Sequence, residues 1–248
     1  HSYNLFITGS DAWRFDISDN KLISRYDNVF NYEENTSHSI EIFSIEDYSE
    51  FPVQDGTFKH INENDTSYQQ YTYSINNYTI STSSLEISNP GAGIEGVFCG
   101  IEGNNSFWYS EKSSYSGSQS NFGEGNNYHN EYSLSGEYIK IVLPYEITLK
   151  GYYWASDSTN AHPDVTRSHG IPARWKIFAN VNSSEVIINE YSNGSTWGVH
   201  DNTNGYIDLS NNNVTSDTYT FFITHSHGYW NGTDANVNLD SWRLFHMS

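Results

Sequence analysis

Apolar and polar positions alternate most regularly between Gly136 and Ala179, where the chain reads GEYIKIVLPYEITLKGYYW, then SDSTNAHPDVTRSHG, then IPARWKIFA. Ile147 and Leu149 alternate with Thr148 and Lys150, and Trp175, Ile177 and Ala179 alternate with Arg174 and Lys176. A period of two marks strands that bury one face. The stretch therefore predicts strand, turn, strand, long loop and strand. That loop carries His162, Asp164, Arg167 and His169, and loops held on a rigid β scaffold are where binding groups collect.

The same reading extends both ways. Residues 3–32 predict a hairpin in which Trp13, Phe15 and Ile17 alternate, Ser18 to Lys21 supply the turn, and Leu22 to Tyr26 return. HSIEIFS (38–44) predicts a strand, and IEDYSEFPVQDG a turn or single helical turn ended by Pro52 and Gly56. TYSINNYTIST predicts a hairpin turning at Asn76-Asn77. Further strands are expected at SLEI (84–87), GVFCG (96–100), FWYS (107–110), EVIINEY (185–191), YIDLS (206–210), YTFFITH (219–225) and DSWRLFH (240–246). A polar loop is expected from Ser113 to Asn130. Many short strands separated by Gly/Asn turns indicate a sandwich or barrel. The fold class is all-β, with a β-rich N-terminal region over residues 1–80 and a jelly-roll domain over 81–248.

Composition agrees. Among 248 residues there are 20 Tyr, 13 Phe and 7 Trp, which favour strands and can fill a core, and very little helix is expected. The formal charge of −19, with 11 Lys and Arg, would repel nucleic-acid phosphates and anionic membranes, so neither is an expected partner. No apolar run approaches the ~18 residues that span a bilayer, so no membrane insertion is expected. A lone cysteine, Cys99, excludes an intrachain disulfide and reads as a buried hydrophobe. Asn35, Asn64, Asn77, Asn104, Asn182, Asn193, Asn213 and Asn231 each open an Asn-x-Ser/Thr triplet and are glycosylation candidates.

Five segments in order resemble the discoidin, or coagulation factor 5/8 type C, family: VFCGIEGNNSFWYS, GEYIKIVLPYEI, IPARWKIFAN, SDTYTFFITHSHG and LDSWRLF. They cover about residues 80–248. The resemblance implies a jelly-roll β-sandwich of the kind common in carbohydrate-binding modules. It also implies a structural Ca²⁺, but the two carboxylates expected of it are replaced here by Cys99 and Ser241. Neutral Cys is a poor ligand for a hard cation. The site is expected to be empty, or rebuilt around Glu102 or Asp240, and no cofactor is expected. In sugar-binding members the ligand lies among loops at one end, which here are 101–108, 155–171 and 226–238. They carry Asn104, Asn105, Asp157, His162, Asp164, Arg167, His169, Tyr229, Trp230 and Asn236. Trp230 offers a face for C–H stacking, and Arg167 with His162 or His169 offers donors for hydroxyls.

No HExxH, GxSxG, Walker or GxGxxG pattern occurs, and no paired-carboxylate motif marks a glycosidase, so an enzyme is not expected. His225 and His227 would share a face of a continued strand, as a metal pair or as two solvated histidines. The leading expectation is a non-catalytic extracellular, cell-surface or virion-surface glycan-binding or attachment module, its partner a glycan or glycoprotein. The alternative is a structural, self-assembling surface protein, a capsid decoration, a filament or a surface-layer subunit, partnered by copies of itself in a homo-oligomer or a virion or filament assembly.

Overall fold

The computed structural model describes residues 4–8, 15–18, 21–24, 41–45, 48–51, 58–60, 70–73, 78–85, 96–99, 108–110, 114–116, 123–156, 170–193, 204–227 and 237–247. One strand, Glu137–Ala155, organises them. Its first half pairs antiparallel with Thr79–Thr82 on one side and with the long strand Thr215–His227 on the other. Its second half pairs with Asn204–Asp208 and with the closing strand Ser241–Met247. The central strand thus belongs to two layers. The first layer continues from Thr215–His227 to the hairpin Ile171–Val181 and Ser184–Ser192.

Aromatic residues from the two layers meet between them. Trp154 meets Trp175 edge-on at 4.8 Å between ring centroids, and Phe221 meets Trp242 edge-on at 5.5 Å. Trp175 and Phe221 lie stacked at 5.4 Å. Tilted and edge-to-face rings suit the aromatic quadrupole, and each buried ring contributes on the order of 2–3 kcal/mol of transfer free energy. Ile139, Ile141, Ile147 and Leu149 fill the same core, as the alternation predicts. The result is the expected all-β sandwich.

Three local readings change. The middle of the central strand is not a turn: residues 144–146 remain in the strand, exposed, at a register shift between Val142 and Ile147. Pro144 has no N–H for the ladder, so an irregularity there costs no bond. Gly96–Cys99 is a single helical turn rather than a strand. Val97 and Phe98 are consecutive and both buried, which a strand facing one core would not allow. Phe98 packs on Trp242 at 5.8 Å. Tyr48–Phe51, expected as a turn, is a strand on the edge of the closing strand, with Phe51 opposite Leu244.

The Ser113–Asn130 loop also holds short strands, at Tyr115–Ser116, Gly123–Gly125 and Tyr128–His129. Of SLEI, Ser84 and Leu85 lie outside any strand. Phe15–Ser18 and Lys21–Ser24 form the expected hairpin, and Glu41–Ile45 pairs with Asn4–Thr8. Gln70–Tyr73 pairs with Thr79–Thr82, while the Asn76-Asn77 turn lies outside the described residues. Through Thr79–Thr82 and Tyr48–Phe51, strands from the N-terminal third join both layers. No helix among the described residues is long and apolar enough to cross a membrane.

Two glycines allow a backbone crossing at the start of the central strand. Gly136 has φ +152°, and a Cβ there would lie 2.2 Å from the Ile223 carbonyl oxygen; one on Gly125 would lie 2.2 Å from the Gly136 Cα. Backbone cannot swing aside as a side-chain tip can. Gly136→Ala is expected to cost on the order of 2–3 kcal/mol, combining dihedral strain with overpacking. A urea midpoint equal to that of the parent chain would show that the crossing has slack.

Candidate functional site

The strand ends nearest Ala155 gather at one pole of the sandwich. Ile171 lies opposite His227, and Ala155 opposite both Ser241 and Asn204. The Asn238 N–H donates to the Gly170 carbonyl at 2.8 Å, the Asp240 N–H to the Ala155 carbonyl at 2.8 Å, and the Ser110 N–H to the Val237 carbonyl at 2.9 Å. The Ser110 hydroxyl accepts from the Val237 N–H, and the Ser156 hydroxyl donates to the Asn238 side-chain oxygen. Asn193 closes the ring: its N–H donates to the Ala173 carbonyl at 2.7 Å and its amide nitrogen to the Pro172 carbonyl at 3.2 Å. Hence the segments 157–169, 194–203 and 228–236 all depart from and return to this pole, and Trp108, where 100–107 ends, pairs with Leu239.

His162, Asp164, Arg167, His169, Tyr229, Trp230 and Asn236 lie outside the described residues, as do Asn104, Asn105, Asp157 and Glu102. What the structure places is their points of attachment. Segment 194–203, with Trp197 and His200, was not among the loops expected there; its ends are held at the pole by the bonds of Asn193 to Ala173 and Pro172 and by the pairing of Asn204 with Ala155, long-range contacts that no local pattern announces.

His225 and His227 do not form a metal pair. His227 is fully buried, and its Nε2–H donates to the Asn193 carbonyl. His225 lies on the outer face of the first layer, its Nδ1 2.9 Å from the Thr224 hydroxyl. Among the described residues no group of three His, Cys, Asp or Glu could hold a metal ion. Ser241 is buried at the start of the closing strand, and Cys99 ends the helical turn. Of the glycosylation candidates, Asn182 sits exposed in the hairpin turn at φ 51° and Asn213 is exposed, whereas Asn193 is fully buried with its amide bonded as above. Asn35, Asn64, Asn77, Asn104 and Asn231 fall outside the described residues.

Beside the pole, the outer face of the first layer carries a groove of about 590 Å³. Cross-strand register builds it. Glu124 lies opposite His225, His225 opposite Arg174, and Arg174 opposite Ser192, so four strands contribute one row. The next row pairs Lys176 with Glu190, whose ammonium and carboxylate meet at 2.7 Å. Register shifts around Arg174 leave Ala173 and Thr224 without register partners. Bulges of this kind re-aim side chains, which is how His225 comes to stand beside Arg174 on the outside. Burial, and secondly the Arg174 charge, hold the His225 imidazole below its ordinary pKa; Glu124, 3.7 Å away, works against them.

The chain is similar to solved carbohydrate-binding modules of family 32, sandwiches of the discoidin kind. The family 32 module of Streptococcus pneumoniae EndoD shares 14% identity over 68% of this chain and 95% of its own, with a TM-score of 0.45. CBM32-3 of a Clostridium perfringens family 31 glycoside hydrolase shares 10% over 67% and 88%, with a TM-score of 0.45. The module of C. perfringens NanJ, solved with galactose, shares 13% over 68% and 93%, with a TM-score of 0.41. No protein-family model and no curated protein sequence matches the chain.

Proposed function

We propose that the chain is a non-catalytic glycan-binding module, presented outside the cell or on a cell or virion surface, that takes its ligand at the pole where the loops are anchored. The supporting observation is the set of backbone bonds that ties Gly170, Val237, Asn238, Asp240 and Ala155 into one rim. Anchors this close start and end the segments 157–169 and 228–236, far apart in sequence, at one end of a rigid scaffold. That is the usual way a β-sandwich assembles a recognition surface. Trp230 supplies an aromatic plate, Arg167 and His162 or His169 supply donors, and Asp164 and Asn236 supply acceptors.

The test is an array of neutral and acidic glycans, galactose-terminated chains among them, probed with the intact chain and with Trp230→Ala and Arg167→Ala. Selective binding weakened at least ten-fold by either change is expected, the range that loss of a stacked or doubly hydrogen-bonded contact produces. Binding unaltered by both substitutions, with the variants folded, would remove the loops from the site.

A further inference from the structure

We propose that the groove on the outer face of the first layer is a second binding site, separate from the loop-bearing pole, and that it takes a sugar residue bearing a carboxylate. Its size matches that of small-ligand sites, about 300–1,000 Å³. The choice of ligand follows from what the groove offers and what it lacks.

Neutral pyranoses are held chiefly by stacking on an exposed aromatic face. Here Trp175 is only 1% exposed, its ring inside the core, and Tyr191 lies against it at 4.6 Å and packs on the same core. Trp175, the largest ring of the lining, thus offers no face, and Tyr191 has one of its faces taken up by Trp175. What the groove offers instead is charge of both signs at fixed spacing. The cations Arg174 and Lys176 come together there, with the His225 imidazole beside Arg174, in a chain that has 11 Lys and Arg against 30 Asp and Glu. The exposed Arg174 guanidinium is a planar fork that matches a carboxylate through two parallel hydrogen bonds.

Glu124 and Glu190 limit the alternatives. A free phosphate or sulfate spreads its charge over all its oxygens and is repelled by these carboxylates, to which it has few or no hydroxyls to offer. A sugar acid carries a single planar anion and several hydroxyls, so Glu190, Glu124 and Ser192 can accept from the hydroxyls while Arg174 holds the acid. The repulsion from a net charge of −19 does not prevent this: at physiological salt, exposed charges beyond roughly 8 Å are largely screened, and the nearest groups dominate.

Uronic and nonulosonic acids share this chemistry, and the experiment separates them. The full chain is titrated calorimetrically with trigalacturonate and with a sialylated trisaccharide, each beside its methyl ester, which keeps the shape and removes the charge. At least one acid is expected to bind ten-fold or more tightly than its ester. Arg174→Gln should remove that difference, and Arg174→Lys, which keeps the charge without the fork, should restore part of it. Arg167→Gln and Trp230→Ala, on the other site, should leave it in place. Acid and ester binding alike, neither acid binding, or an acid preference that survives Arg174→Gln would overturn the proposal. So would an acid preference lost in Arg167→Gln and kept in Arg174→Gln, which would assign the acid to the loops. Loss of array binding in the loop variants bears only on the pole, so the two sites can fail independently.

Discussion

Trp175→Ala is expected to remove about 3–5 kcal/mol of stability, the usual cost of emptying a large aromatic site in a packed core. Trp175 touches both layers: its ring meets Trp154 at 4.8 Å, Tyr191 at 4.6 Å and Phe221 at 5.4 Å. Its indole N–H donates to the Tyr152 hydroxyl at 2.8 Å, and that hydroxyl donates onward to the Asn189 side-chain oxygen at 2.7 Å. Burial pushes the Tyr152 phenol well above its ordinary pKa, so it stays neutral and cannot compensate by ionising. Alanine therefore leaves a cavity and removes a donor from a buried hydroxyl. At about 2–4 °C per kcal/mol for a domain this size, the midpoint should fall by about 6–20 °C in calorimetry. Trp175→Phe fills most of the space but lacks the N–H, and about 1–2 kcal/mol is expected for the bond alone. A loss below 1 kcal/mol for alanine would mean that the layers are not held together at Trp175.

Much of that core was legible in the sequence, because strands facing one core must alternate. Trp175, Ile177 and Ala179 are buried while Arg174 is exposed and Lys176 half-buried, as the alternation requires. The misreadings have particular causes. Pro144, Tyr145 and Glu146 form a polar interruption that resembles a turn, yet the partner strand absorbs them opposite Asp217 at a register shift. Val97 and Phe98 look like strand residues by composition, and only the position of Trp242 makes a helical turn the better way to bury both. That the strand ends carrying these segments gather at one pole follows from the sandwich the sequence suggested, but the part played by Asn193 does not, since its role depends on Pro172, Ala173 and His227 lying beside it.

The groove was the least legible feature. Glu124, Arg174, Ser192 and His225 are scattered over a hundred positions and become neighbours only through the register of four strands. The bulge that turns His225 outward has no local signature, since nothing in THSH distinguishes Thr224 as the residue left without a register partner. One clue was present: two cations, Arg174 and Lys176, stand on the outward side of a strand in a strongly acidic chain. It pointed to a face but not to the groups opposite.

Glu137→Ala should cost about as much as Trp175→Ala, for a different reason. Glu137 opens the central strand fully buried on the core side, and its carboxylate is surrounded by neutral donors. The Ser83 and Ser84 hydroxyls donate to one oxygen and the Asn127 amide to the other. These bonds join the residues that follow the Thr79–Thr82 strand, the connection at 126–127 and the central strand, close to where Gly125 and Gly136 cross. The nearby Tyr115 phenol is raised well above its ordinary pKa, by burial first and by the charge of Glu137 second. Alanine would leave the buried Ser84 hydroxyl and the half-buried Ser83 hydroxyl without their acceptor and would empty the volume of a fully buried side chain, while the exposed Asn127 can turn to water. At about 1–3 kcal/mol for each unsatisfied buried group, partly offset by relaxation, about 3–5 kcal/mol is expected. Glu137→Gln discriminates between shape and charge. Its oxygen can still accept from Asn127, and its amide can donate to serine hydroxyls that rotate to accept, so a loss of only about 1–2 kcal/mol should follow. Equal losses for alanine and glutamine in urea unfolding would show that the ionised group itself, rather than the pattern of donors and acceptors, closes this end of the core.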